Sequence, residues 1–109
     1  MTFPLDEVRA AIRAGRLRWR EHALVRLLER GIARDRVVWI LLHGDILEEY
    51  PLSWPYPAAL IGGDPGGGTL HAVVAFAAVS RCAYVVSAYE PDQVHFEPDL
   101  RTRRRKEDD

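Results

Sequence analysis

The stretch LLHGDILEEY, residues 41–50, is where the chain changes period. Before Gly44, apolar residues recur three and four positions apart. After it they come in short runs bounded by Gly, Pro, Asp or Ser, the pattern of strands. Read backwards, RDRVVWILLHG places Val37, Ile40 and Leu41 on one side of a helix that begins near Arg34 and stops at Gly44. Read forwards, DILEEY, AALIGG, TLHAVVAFAAV and CAYVVSAYEP predict four strands. PLSWPYP, between the first two, holds three prolines that exclude regular structure. GGDPGGG joins the second and third. No Lys-Ser or Lys-Thr follows those glycines and the next element is a strand, so they read as a hairpin loop and not as a phosphate cradle.

Further upstream, Leu5, Val8, Ala11 and Ile12 predict a helix over about residues 4–14, closed at Gly15. RLRWR, residues 16–20, alternates as a half-buried strand does. REHALVRLLERGI, residues 20–32, predicts a second helix whose buried stripe is Ala23, Leu24, Leu27 and Leu28, ended by Gly31. Helix, short strand, two helices and four strands make an α+β domain over residues 1–100. Its helices are expected on one face of a mainly antiparallel sheet, and RTRRRKEDD, residues 101–109, reads as a charged flexible tail.

At 109 residues and 48% apolar composition, the chain has the size and the apolar content of one two-layer domain. No apolar run approaches the roughly 18 residues of a membrane-spanning helix, and MTFPLDEV lacks the order of a secretory signal. A cytoplasmic protein, away from membranes, is expected. Cys82 has no second cysteine for a disulfide. Net charge is −1, but it is divided unevenly. Residues 9–36 hold nine Arg against Glu21, Glu29 and Asp35; residues 37–100 hold Arg81 against eight acids. A cationic helical half facing an anionic sheet half would draw a phosphate-bearing ligand to the helices.

Several side chains carry potential chemistry. His22, Arg26 and Glu29 are four and three apart on the second helix and share a face opposite Leu24 and Leu28. There Arg26 can grip a phosphate through two parallel N–H bonds and His22 can serve as a base. His71 interrupts a strand that is otherwise apolar, either as a hydrogen-bonded core residue or as a catalyst. Tyr50, Tyr56 and Tyr89 stand at strand ends or in the proline loop, where a ring can stack on a base. His95 and the Arg101–Arg105 cluster follow the last strand and can reach back over the sheet. The histidines lack His-x-x-x-His spacing and a nearby carboxylate cluster, so neither a metal site nor a cofactor is expected.

HALVRLLERGI, HGDILEEYP, YPAALIGG, LHAVVAF and VVSAYEPD, in that order from His22 to Arg101, resemble the family catalogued as domain of unknown function 4258. Ala33 stands where a capping Ser or Thr is usual, Ser87 replaces a Thr, and Phe96 stands for a Trp. The family is similar in turn to small α+β toxins of bacterial toxin–antitoxin pairs, of the RelE, MqsR and BrnT type. That resemblance implies a RelE-like sheet, metal-independent cleavage of messenger RNA, and a cognate antitoxin of the zinc-finger or helix-turn-helix kind. On this reading His22 or His71 acts as base and acid. Arg26, with Arg30 or Arg101, stabilises charge, and Tyr89 stacks or donates a proton. Glu29, Arg30, Tyr50, Arg101 and Arg103 bind the RNA substrate. The alternative is a non-catalytic module that binds an acidic protein or RNA through its Arg-rich helical face.

Overall fold

The change of period at Gly44 is the end of a helix. A computed structural model describes residues 2–104. In chain order these form α1 (Leu5–Arg13), β1 (Leu17–Trp19), α2 (Glu21–Arg30), α3 (Arg34–His43), β2 (Asp45–Tyr50), β3 (Ala58–Gly63), β4 (Leu70–Ala77) and β5 (Cys82–Tyr89). The Gly44 N–H donates to the Ile40 carbonyl at 2.7 Å and closes α3. A Cβ on Gly44 would lie 2.6 Å from the carbonyl oxygens of both Gly62 and Ile40, so the exit of α3 runs directly against β3. Main chain cannot yield as a flexible side chain can. Gly44→Ala should therefore cost about 2 kcal/mol of unfolding free energy, measured by urea denaturation. An unchanged midpoint would mean that this approach is looser than the structure places it.

The five strands form one sheet in the order β1-β5-β4-β3-β2. The pairs β2–β3, β3–β4 and β4–β5 are antiparallel, whereas β1 runs parallel to β5, with Leu17 opposite Ala83 and Trp19 opposite Val85. The sheet is thus mixed where a mainly antiparallel one was expected: β2 to β5 form an antiparallel meander, and β1 joins its β5 edge in parallel. Alternation in RLRWR signals a strand but carries no information about its neighbour or direction. A parallel partner needs a long connection, and here everything between β1 and β5 supplies it.

Register explains the core. Leu70, Ala72, Val74 and Phe76 of β4 stand on one face with Ala59 and Ile61 of β3 and Ala83, Val85 and Ala88 of β5. These join Val8 and Ala11 of α1, Ala23 and Leu27 of α2, and Val37, Ile40 and Leu41 of α3 in a single buried cluster. On α2 the stripe is narrower than expected. Ala23 and Leu27 are buried, but Leu24 is only half-buried and Leu28 is 84% exposed. Both pairs have i,i+4 spacing, and spacing alone does not say which edge of a wide apolar stripe meets the sheet. Gly31 ends α2 in the left-handed region at φ 66°, where a side chain is disfavoured. Ala33 precedes α3 with no side-chain cap, in keeping with its lack of a hydroxyl.

The surplus of arginine in the helical half has a partly structural explanation. Arg9 donates to the carbonyls of Leu41 and Gly44, Arg16 to Arg81, Arg18 to Gly15, Arg30 to Ala88 and Arg36 to Gly68. Five of the nine guanidinium groups therefore serve main-chain oxygens. Among the described residues no helix is long and apolar enough to cross a membrane.

The segment after β5 folds back. Phe96 is buried and forms an isolated bridge with Arg103, while Arg101 pairs with Asp45, Arg103 with Glu48 and Arg104 with Glu97. Arg101, Arg103 and Arg104, at the start of the segment expected as a tail, make these contacts, and residues 105–109 of that segment lie outside the described residues. Anionic β2 supplies two of the three carboxylates that hold the segment, which is where charge patterning becomes packing.

Candidate functional site

Alternation along β4 turns His71 away from the helix-facing cluster, toward the face that the C-terminal segment covers. Its relative exposure is 0%. Nε2 lies 2.6 Å from the Leu100 carbonyl, which can only accept, so this nitrogen carries the proton. Nδ1 faces the Tyr89 hydroxyl at 3.4 Å, and the Phe96 ring packs edge-on with centroids 4.7 Å apart. Burial pushes the His71 pKa below its ordinary value. The Leu100 hydrogen bond opposes this and the nearby Arg103 charge adds to it. His71 is a neutral ring in the interior.

Beside it, Arg103 makes a two-pronged contact with Glu48, Nε to Oε2 at 3.0 Å and Nη2 to Oε1 at 3.2 Å, while the Tyr50 hydroxyl donates to the same carboxylate. The Arg103 hydrogen bond is the chief reason that the Glu48 carboxyl stays below its ordinary range. Burial, then the Glu48 acceptor, pushes Tyr50 up to about 12. The Arg103 guanidinium also lies over the Phe96 ring, 4.8 Å from its centroid.

In front of this network opens a groove of about 520 Å³ between the end of α2, the end of β5 and the C-terminal segment. Arg30, Tyr89, Asp92, His95, Phe96 and Arg103 line it. Arg30 is fixed there by Nη1 donating to the Ala88 carbonyl at 2.7 Å, which leaves its other N–H groups for a ligand. Burial raises the Tyr89 pKa, so its hydroxyl keeps its proton. His95 Nδ1 lies 3.0 Å from Asp92 Oδ1, which also accepts the main-chain N–H groups of Val94 and His95. Those bonds, the His95 main chain first, hold the Asp92 carboxyl below its ordinary range. An ionised carboxylate on Nδ1 favours the tautomer in which Nδ1 carries the proton and Nε2 is free to accept one.

Four of the residues singled out in the sequence, Arg30, Tyr89, His95 and Arg103, thus meet in one groove, with His71 and Tyr50 behind its wall. The others do not join them. His22 is exposed on the first turn of α2 and is not part of the groove. Arg26 pairs with Glu29 at 3.1 Å, each about half exposed, and Arg101 is bound to Asp45 at 3.0 Å. His22 and His71 do not share a cleft: one imidazole stands in solvent and the other is sealed from it. Asp92 escaped the sequence reading. Its signal was the spacing Asp92-x-x-His95 just after a strand, where an Asp that caps a turn also reaches the side chain three residues on.

The family described as Domain of unknown function (DUF4258) matches residues 19–90, and the chain belongs to it. No curated protein and no solved structure matches. The matched region carries Arg30, Tyr89 and the buried His71. Asp92, His95, Phe96 and Arg103 lie beyond it, so the groove is assembled from the family's part of the chain and the segment that follows.

Proposed function

We propose that the chain is a toxin-like, metal-independent ribonuclease with a RelE-like arrangement of helices on a sheet, and that it acts on single-stranded RNA in the groove. The observation that carries the reading is the convergence of two guanidinium groups, an aspartate-oriented imidazole and a protonated phenol on one open site. RNA needs little more. A base removes the 2′-hydroxyl proton, the 2′-oxygen attacks phosphorus, the bond to the 5′-oxygen breaks, and an acid protonates that oxygen to leave a 2′,3′-cyclic phosphate. His95 Nε2 is the base, Tyr89 the acid, and Arg30 the cation that holds the phosphate. The half-buried Tyr89 ring also offers a surface for base stacking. A cognate antitoxin, of zinc-finger or helix-turn-helix type, is the partner this reading implies, and the cytoplasm is where both would meet messenger RNA.

The non-catalytic reading, in which the groove or the arginine-bearing helices bind RNA or an acidic protein without cutting, draws support from the bond between Arg103 and Glu48, which neutralises one of the two groove cations. A single assay separates the two. Purified protein incubated with a single-stranded RNA in a metal chelator should give fragments ending in cyclic phosphate. Saturable binding with the RNA intact would select the non-catalytic module.

A further inference from the structure

A second cavity, of about 740 Å³, opens where the N-terminal segment, the loop after β2 and the β4–β5 turn meet. Phe3, Pro4, Tyr56, Pro57, Phe76 and Val79 give it apolar walls. Stacking of Tyr56 on Tyr84, with ring centroids 5.6 Å apart, fixes one side, and the bond from the Phe3 N–H to the Glu49 carboxylate fixes another. The charged side chains on its lining are Glu7 and Glu49, both carboxylates. Apolar surface continues outside the cavity. Val79 is 103% exposed, and Leu52 and Trp54, in the loop that supplies Pro51, Tyr56 and Pro57, are 94% and 90% exposed. Large apolar side chains left this bare beside a preformed apolar cleft mark an interaction surface.

We infer that this cleft docks a segment of a partner protein in which large apolar side chains are flanked by Lys or Arg. The apolar anchors fill the cavity between Phe3, Phe76 and Val79, and the flanking cations meet Glu7 and Glu49 at its rim. Charge decides the sign. An acidic segment or a nucleic acid would bring like charge to two carboxylates, whereas a cationic segment gains from both. Extent decides the class, because Leu52 and Trp54, outside the cavity lining, carry apolar area beyond what a small molecule in the cavity would cover. A second copy is disfavoured by the same charges: a two-fold pairing on this face would set Glu7 and Glu49 near their own equivalents. The surface shares no lining residue with the groove, so the inference stands whether or not RNA is cut there.

The test is a nuclear magnetic resonance titration of the full chain with two synthetic peptides of the same Leu-Trp-Leu centre, one flanked by Arg pairs and one by Glu pairs. The Arg-flanked peptide should move the amide signals of Phe3, Glu49, Ala77 and Val79 saturably and bind about tenfold or more tightly than the Glu-flanked one. Glu7→Gln with Glu49→Gln should remove most of that preference. Val79→Asp, on a fully exposed side chain, should abolish binding without disturbing the remaining spectrum. Equal affinity for the two peptides, or no shift at the cleft, would overturn the inference. So would the same shifts arising from protein concentration alone, which would give the face to a second copy.

Discussion

Replacing His71 with alanine should lower unfolding free energy by about 3 kcal/mol, the scale of removing a buried ring. For a domain near 100 residues that is a fall in melting temperature of roughly 12–24 °C. The ring is sealed from water, packs edge-on against Phe96 and binds the Leu100 carbonyl. Deletion opens a cavity and removes one of the contacts between the sheet and the C-terminal segment. His71→Phe keeps most of the volume but leaves the Leu100 oxygen without its donor, so it should cost less. The same ring makes stability depend on pH. Its folded pKa lies below 6.5, chiefly through burial, and unfolding restores the ordinary value. The unfolded chain therefore takes up the proton first. The contribution is complete above about pH 6.5 and is lost as pH falls from there through the folded pKa. Glu48, also lowered on folding, acts in the same sense but only in the carboxylate range, at more acidic pH. Thermal melts between pH 7 and pH 5 should thus show a decline in the native protein that His71→Phe lacks. A decline that survives the substitution would assign the titration elsewhere.

Much of this arrangement was legible in the chain, and the reasons divide cleanly. The helix–strand boundary at Gly44, the four strands after it and the short strand at Leu17–Trp19 all follow from period, because burial on one face imposes it locally. What period cannot supply is which elements become neighbours. The parallel pairing of β1 with β5 and the return of Phe96 and Arg103 over the sheet are long-range choices. The site shows the same division. His71 stood out because it broke an apolar run, and Tyr89 because it ended a strand. Their meeting with Arg30 and Arg103 depends on the fold of the last segment. His22, Arg26 and Glu29 looked like a site because helical spacing brought them together. Spacing equally makes a solvated salt-bridged face, and Arg26 and Glu29 form one.

If the groove cleaves RNA, His95→Ala should reduce the rate by about 100-fold to 10,000-fold, the range contributed by one positioned proton-transfer group. The melting temperature should stay within about 2 °C of the native value, since exposed side chains away from packed features carry little stability; the His95 side chain is 68% exposed. Asp92→Asn gives the finer test. The amide oxygen can still accept the main-chain N–H groups of Val94 and His95, so the turn persists, but the charge that orders the imidazole is gone and a rate loss smaller than that of His95→Ala is expected. Arg30→Lys keeps the positive charge but gives up the planar fork that bonds Ala88 and a phosphate together, so the loss should fall mainly on RNA affinity. His22→Ala is the decisive contrast. Its imidazole stands outside the groove, and the rate should be unchanged. Full activity in His95→Ala, joined to loss in His22→Ala, would return the chemistry to the face of α2. Full activity in both would leave the groove without its base. The chemistry proposed here therefore rests on a single imidazole whose orientation comes from a carboxylate three residues away, on a segment that the buried His71 ring helps hold in place.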